Sequence, residues 1–165
     1  MERVLVIGSP GSGKSTMAAE IARRTGLPLI HLDQHYWRAG WIEPDDETWA
    51  GQMQALAAGE RWVMDGNYGG TLNLRLPRAD IVIWLDFPTR LCLWRIARRA
   101  LHHRGKVRAS MAEGCPEQLR PDFILHVLRF RRHSRQRIVS WLPGFTGTLL
   151  RFRRPREAVR WLAAL

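Results

Sequence analysis

Short apolar runs alternate along this chain with longer stretches of helical period. Val4-Leu5-Val6-Ile7 is an unbroken apolar run ending at Gly8, the pattern of a strand buried on both faces. Lys14 to Thr25 follows, with Met17, Ala18, Ile21 and Ala22 on one side and Gly26 just beyond, which predicts a helix. Leu29-Ile30-His31-Leu32 is a second strand closed by Asp33, and Asp46 to Ala58 reads as a helix stopped by Gly59. Trp62-Val63-Met64 gives a third strand ending at Asp65-Gly66, and Ile81-Val82-Ile83-Trp84-Leu85 a fourth ending at Asp86. A helix from Pro88 to about Leu101 is expected next, then a loop or flap over 102–116 carrying Gly, Pro and charge. Glu117 to Val139 reads as largely helical, Thr148 to Phe152 as a fifth strand, and Pro155 to Ala164 as a closing helix with proline in its first turn.

Strands alternating with helices predict an α/β fold, a parallel sheet covered on both faces. Ligands of such sheets bind beyond the carboxyl ends of the strands, which here carry Gly8, Asp33, Asp65 and Asp86.

One of those ends holds a complete motif. Gly8-Ser9-Pro10-Gly11-Ser12-Gly13-Lys14-Ser15 satisfies G-x-x-x-x-G-K-[ST], and Thr16 follows. Glycines permit the turns that aim successive backbone N–H groups at a phosphate, and the next helix adds its positive end there. Lys14 supplies charge for the β and γ phosphates of ATP, and Ser15 a hydroxyl for magnesium. Asp65, closing a buried strand, is the expected second ligand for Mg2+. The expectation is a P-loop NTPase fold of three layers with a five-stranded parallel sheet.

With 165 residues, 45% of them apolar, the chain suits one domain over 1–165 with a lid-like insertion at about 102–122. No apolar run reaches membrane-spanning length, and Met1 leads straight into the first strand, so no membrane association and a cytoplasmic setting are expected. Cys92 and Cys115 make no zinc spacing and read as reduced thiols. The net charge of +11 is lopsided: residues 1–89 hold 8 Lys/Arg against 11 Asp/Glu, residues 90–165 hold 18 against 4. That half implies either a polyanionic partner (nucleotide phosphates, nucleic acid or an acidic surface) or a solvated basic face with no partner.

The phosphate loop, Asp65-Gly66 and the arginine-rich helix from Arg90 to Arg99 resemble the adenylate-kinase-like nucleoside monophosphate kinases. Three blocks make a closer match that covers nearly the whole chain: His31 to Trp37 with Gly40-Trp41, Trp62 to Thr71, and Met111 to Glu117. They look like the bacterial P-loop kinase-like family called DNA topology modulation proteins (FlaR-type). The resemblance to the kinases implies a phosphate clamp of Arg95 with Arg99 and of Arg120 with Arg131, four guanidiniums around a transferring phosphoryl group. Where adenylate kinases have Asp-Gly-Phe-Pro-Arg this chain has Asp65-Gly66-Asn67-Tyr68, so the monophosphate-binding arginine is absent there and Arg75 is its candidate replacement.

Asp33 followed by Tyr36 is similar to the Asp-x-x-Tyr of uridine-kinase-like proteins, in which the carboxylate takes a proton from an acceptor hydroxyl or holds a magnesium-bound water. Lys14, Asp33 and the four clamp arginines are thus the candidate catalytic residues, and Asp33, Tyr36, Trp37, Arg38, Asn67 and Arg75 the candidate acceptor-binding ones. His31, Asp33 and His35 lack the helical spacing of a metal pair. Of the 8 tryptophans, Trp84, Trp94 and Trp161 are expected in the core, and Trp37 and Trp41 beside Asp33, stacked on a base or ring. Two functions fit. One is a kinase moving the γ-phosphoryl of MgATP to a nucleotide, nucleoside or other small acceptor. The other is a nucleic-acid-binding or regulatory protein that lays Arg129 to Arg137 on a phosphate backbone and affects DNA topology.

Overall fold

The computed structural model describes residues 1–103 and 105–165; Arg104, inside the expected lid, lies outside the described residues. In chain order the elements are β1 (Arg3–Gly8), α1 (Lys14–Thr25), β2 (Leu29–His31), α2 (Leu32–Tyr36), α3 (Asp46–Ala58) and β3 (Trp62–Asp65). Next come α4 (Leu72–Arg75) between two 3₁₀ turns, β4 (Ile81–Leu85), α5 (Thr89–His103), α6 (Pro121–Arg129), α7 (Ser134–Trp141), β5 (Thr148–Phe152) and α8 (Pro155–Ala163). The five strands are parallel in the order β2-β3-β1-β4-β5, with β1 central. Val6 pairs with Asp65 on one side and Ile83 on the other, so the acidic end of β3 reaches the same edge as the glycine that closes β1.

Period-2 alternation sorts the strand residues onto two cores. Val4, Val6, Val63, Ile83 and Leu85 pack with Met17, Ala18 and Ile21 of α1, Cys92 and Ile96 of α5, Val127 of α6 and Ala158 of α8. Leu5, Ile7, Met64, Val82 and Trp84 face the other way, against Leu32, Trp49, Met53, Leu72, Leu76, Phe130 and Ile138. No helix among the described residues is long and apolar enough to cross a membrane.

Three expectations change. The single helix over 117–139 is two helices, α6 starting at Pro121 and α7 at Ser134. Val127 belongs to one core, Phe130 and Ile138 to the other, and the turn between the helices carries the chain across the sheet edge. Trp94 is 56% exposed on the outer side of α5, with the Arg98 guanidinium 5.4 Å over its ring, whereas Trp84 is buried and Trp161 half-buried against Phe152. The third change concerns Asp86, which closes β4 but faces no open site. Arg135 Nε donates to its Oδ1 at 3.1 Å and Arg151 Nη2 to its Oδ2 at 2.5 Å, and both guanidiniums lie over the Trp84 ring. This cluster fastens α7 and β5 to the end of β4.

Burial alone would raise the Asp86 carboxyl, but Arg135 and Arg151 outweigh it and hold its pKa below the usual 3.8. A carboxylate depressed in the folded state stabilises it above the unfolded pKa and loses that contribution as pH falls through the lower folded value. Asp86→Asn should cost about 2–3 kcal/mol at pH 7, below the fully buried range because Arg151 stays 30% exposed. Urea melts should show the gap from the parent closing only below about pH 3.8. A gap that persists at the most acid pH would show that the loss is not the ion pairs.

Candidate functional site

The loop between β1 and α1 takes the form its glycines allow. Gly11 has φ +79°, and a Cβ there would sit 2.5 Å from the Cys92 carbonyl of α5. Gly13, at φ +94°, turns the chain into α1. Within the loop Ser12 N–H donates to Ser9 O at 3.0 Å, and Lys14 Nζ folds back to the same carbonyl at 3.1 Å. Burial lowers the Lys14 pKa, Asp33 and Asp65 nearby oppose that shift, and Arg99 adds to it.

Asp65 lies where the register places it. Ser15 Oγ donates to Asp65 Oδ2 at 2.7 Å, and the side chain of the carboxylate is only 6% exposed. Its other oxygen lies 2.5 Å from His31 Nδ1, at the end of β2. His31 serves Asp65, while Asp33 Oδ1 accepts from Tyr68 OH at 2.6 Å. A hydroxyl and a carboxylate side by side are hard oxygen donors of the kind magnesium takes, with phosphate and water oxygens completing its shell.

Asn67, expected on the acceptor side, instead grips the loop. Its Oδ1 accepts from Gly8 N–H at 3.0 Å and its Nδ2 donates to Gly8 O at 2.6 Å, a two-point clasp between the ends of β1 and β3. Arg75 is corrected as well. It is 0% exposed, with its guanidinium donating to the carbonyls of Gly66 and Asn67 and to Thr71 Oγ1. Burial pulls its pKa down to about 9, still charged at neutral pH, and no ligand can reach it without dismantling the turn it supports.

Of the four expected clamp arginines the structure brings two to the loop. Arg95 Nη1 donates to Ser12 O at 2.9 Å, and Arg99 pairs with the buried Glu117 at 2.8 Å. Burial and the neighbouring Arg108 lower the Arg99 pKa, Glu117 opposing them. Arg108, which the sequence reading passed over, stands on the other oxygen of Glu117 at 2.6 Å. Arg120 is on the surface with Asp122, and Arg131 is exposed in the turn after α6. A groove of about 420 Å³ lined by Trp94, Arg95, Arg98, Arg99 and His102 opens beside them.

Trp37 and Trp41 do not form an open stacking surface. Their rings meet at 5.2 Å and pack on Met111, Ala112 and Cys115. Gly40 N–H donates to Gly114 O at 3.0 Å, and Cys115 Sγ to Arg38 O at 3.2 Å, so the segment after β2 and the segment after α5 are joined. The Arg38 side chain itself is exposed. Tyr36 is half-buried, with Trp49 at 4.9 Å and Tyr68 at 4.5 Å, an aromatic wall beside Asp33. Burial first, then Asp33, pushes the Tyr68 phenol far up, so it is a permanent donor.

A model of the AAA family, ATPases associated with various cellular activities, matches residues 4–59, which span the loop, α1 and α3. No curated protein matches the chain in sequence. Among solved structures, shikimate kinase from Aquifex aeolicus vf5 superposes with a TM-score of 0.59 at 15% identity, over 98% of this chain and 94% of that one. Deoxyadenosine kinase from M. mycoides with bound dATP gives 0.51 at 14% identity, over 98% and 97%. The fold is that of the P-loop kinases. At these identities the likeness speaks for the α/β architecture, while the roles of individual residues rest on this chain's own geometry.

Asn67→Ala should lower stability by about 1–3 kcal/mol, because it leaves the N–H and C=O of the buried Gly8 unpaired. Amide exchange at Gly8 should accelerate by at least the same free energy. Unchanged exchange there would mean that the clasp does not hold the loop.

Proposed function

We propose that this protein is an ATP-dependent phosphotransferase that holds MgATP in the loop Gly8 to Thr16 and passes the γ-phosphoryl to a small acceptor, a nucleotide, nucleoside or related compound, beside Asp33. The observation that carries the reading is the convergence of Lys14, Ser15, Asp65, Arg95 and Arg99 on one glycine loop at the carboxyl edge of a parallel sheet. The loop N–H groups and the start of α1 bind phosphate oxygens, and Lys14, leaving Ser9 O, reaches the β and γ phosphates. Ser15 and Asp65 would hold magnesium, which when bound neutralises charge on the phosphate oxygens. Arg95 and Arg99 stabilise charge on the phosphoryl group in transit, with Glu117 fixing Arg99 and Arg108.

In this reading residues 1–165 form one domain, and the segment at about 102–122 is the lid that excludes water during transfer. The joined Trp37–Trp41 and Met111–Cys115 cluster supports a lid seated against the acceptor segment. Asp33 takes the acceptor's proton. The kinases whose fold this chain shares support the assignment without naming the acceptor.

Lys14→Ala should abolish tight MgATP binding while leaving the thermal melt within a few degrees of the parent. Calorimetry showing parental affinity would dismiss the loop as the nucleotide site. Ser15→Ala and Asp65→Asn should weaken ATP binding in magnesium much more than in EDTA, and equal losses in both would remove Asp65 from the metal site.

A further inference from the structure

The register of the sheet sets two side chains against each other at the edge that holds the phosphate loop. β2 and β3 run parallel with His31 opposite Asp65, each the last residue of its strand. Residues paired in this way leave the sheet on the same face. His31 Nδ1 lies 2.5 Å from Asp65 Oδ1, and the two side chains are only 12% and 6% exposed. A carboxylate accepts, so Nδ1 carries the hydrogen. On the other side of the same carboxylate, Ser15 Oγ donates to Oδ2 at 2.7 Å, which leaves the lone pairs of the hydroxyl oxygen for a cation. An aspartate carboxyl turns easily about its last side-chain bond, and a donor on each oxygen stops that rotation. Strand pairing does not need the imidazole, because backbone pairing already fixes the register from Leu29 to His31 and Val63 N–H donates to Pro28 O at 2.7 Å. Nor is His31 placed as a ligand, since Nδ1 is committed to the carboxylate and magnesium takes oxygen donors.

We propose that His31 is a positioning residue of the magnesium site: its Nδ1–H fixes Asp65 so that Oδ2 and the Ser15 hydroxyl are presented together to the cation that accompanies the nucleotide. This rests on the phosphotransferase reading above. His31 acts through Asp65 and takes no part in the transfer itself. Partners that orient a metal-holding group in this way are worth about 10- to 100-fold in metal affinity. The effect of His31 is therefore confined to nucleotide binding with magnesium, and it depends on a donor at the place of Nδ1 and on the carboxylate that receives it.

Calorimetry of ATP binding to the full chain, once in magnesium and once in EDTA, separates this role from a purely structural one. His31→Ala should weaken ATP binding in magnesium by about tenfold or more, while affinity in EDTA stays within about twofold of the parent. His31→Asn, whose amide nitrogen can take the place of Nδ1, should recover most of the loss. His31→Gln, with its amide one methylene further out, should not. In an Asp65→Asn background, His31→Ala should cost magnesium-dependent binding nothing further, because the group it positions is gone. If His31→Ala does not fold, His31→Gln takes its place in the same comparisons. Equal losses in magnesium and EDTA would make His31 a structural residue and overturn the inference. So would a parental response in His31→Ala, an asparagine no better than alanine, or a full further loss in the Asp65→Asn background. A parent that binds ATP no better in magnesium than in EDTA overturns the metal site and the inference with it, whereas a parent that binds no ATP at all defeats the phosphotransferase reading.

Discussion

Everything at this site depends on the central strand being clasped at its end. β1 is paired on both sides by parallel neighbours, so its direction is set by hydrogen bonds along its length, but the loop that follows has no ladder to hold it. Asn67 supplies the missing constraint by occupying both backbone groups of Gly8 from the end of β3. Arg75 in turn supports the carbonyls of Gly66 and Asn67, so the turn that carries the clasp is itself fixed by a buried cation. A buried guanidinium is costly unless its donors are paired, and two carbonyls and a threonine hydroxyl pair its two terminal nitrogens, leaving Nε without a partner among the described residues. The loop can therefore keep its N–H groups directed at a ligand before one arrives.

The same economy appears in the acids. Asp65 divides its two oxygens between Ser15 and His31, Glu117 divides its oxygens between Arg99 and Arg108, and Asp86 between Arg135 and Arg151. Each carboxylate holds side chains from two other segments of the chain. Asp33 differs, having one oxygen on Tyr68 and the other without a partner among the described residues.

What the sequence made legible follows from the range of the contacts involved. The glycine loop, its lysine and its serine lie within one contiguous run between an apolar strand and an amphipathic helix, so motif and context confirm each other. The parallel sheet was equally readable, because strand and helix periods alternate cleanly, though its strand order was not. Asn67 was misplaced because its partner, Gly8, is distant in sequence and an amide carries no local signature of what it binds. Arg75 was misread for a related reason: an arginine offers charge to any ligand, and only burial reveals that backbone carbonyls have claimed it. Arg108 and Tyr68 had no motif at all. The one available signal was that each sits near an acidic position the fold would have to satisfy. Helical period puts Trp94 in the core, but period identifies a face without saying what covers it, and the ring is 56% exposed beneath the Arg98 guanidinium.

The placement of charge favours the proposed phosphotransferase over a nucleic-acid-binding role. A nucleic-acid face requires its arginines to be free and arrayed along one surface. In the stretch Arg129 to Arg137, Arg135 is drawn inward to Asp86 and over Trp84, while Arg129, Arg131, Arg132 and Arg137 stay exposed on the two sides of the break between α6 and α7. Arg95, by contrast, is bonded to Ser12 O of the phosphate loop, and Arg99, four residues on, is fixed by Glu117 in the groove that both arginines line. Cations held at fixed positions beside a glycine loop serve a phosphate whose charge must be met at defined points. Cations scattered along a polymer face need no such anchoring, and the anchoring is what this structure builds.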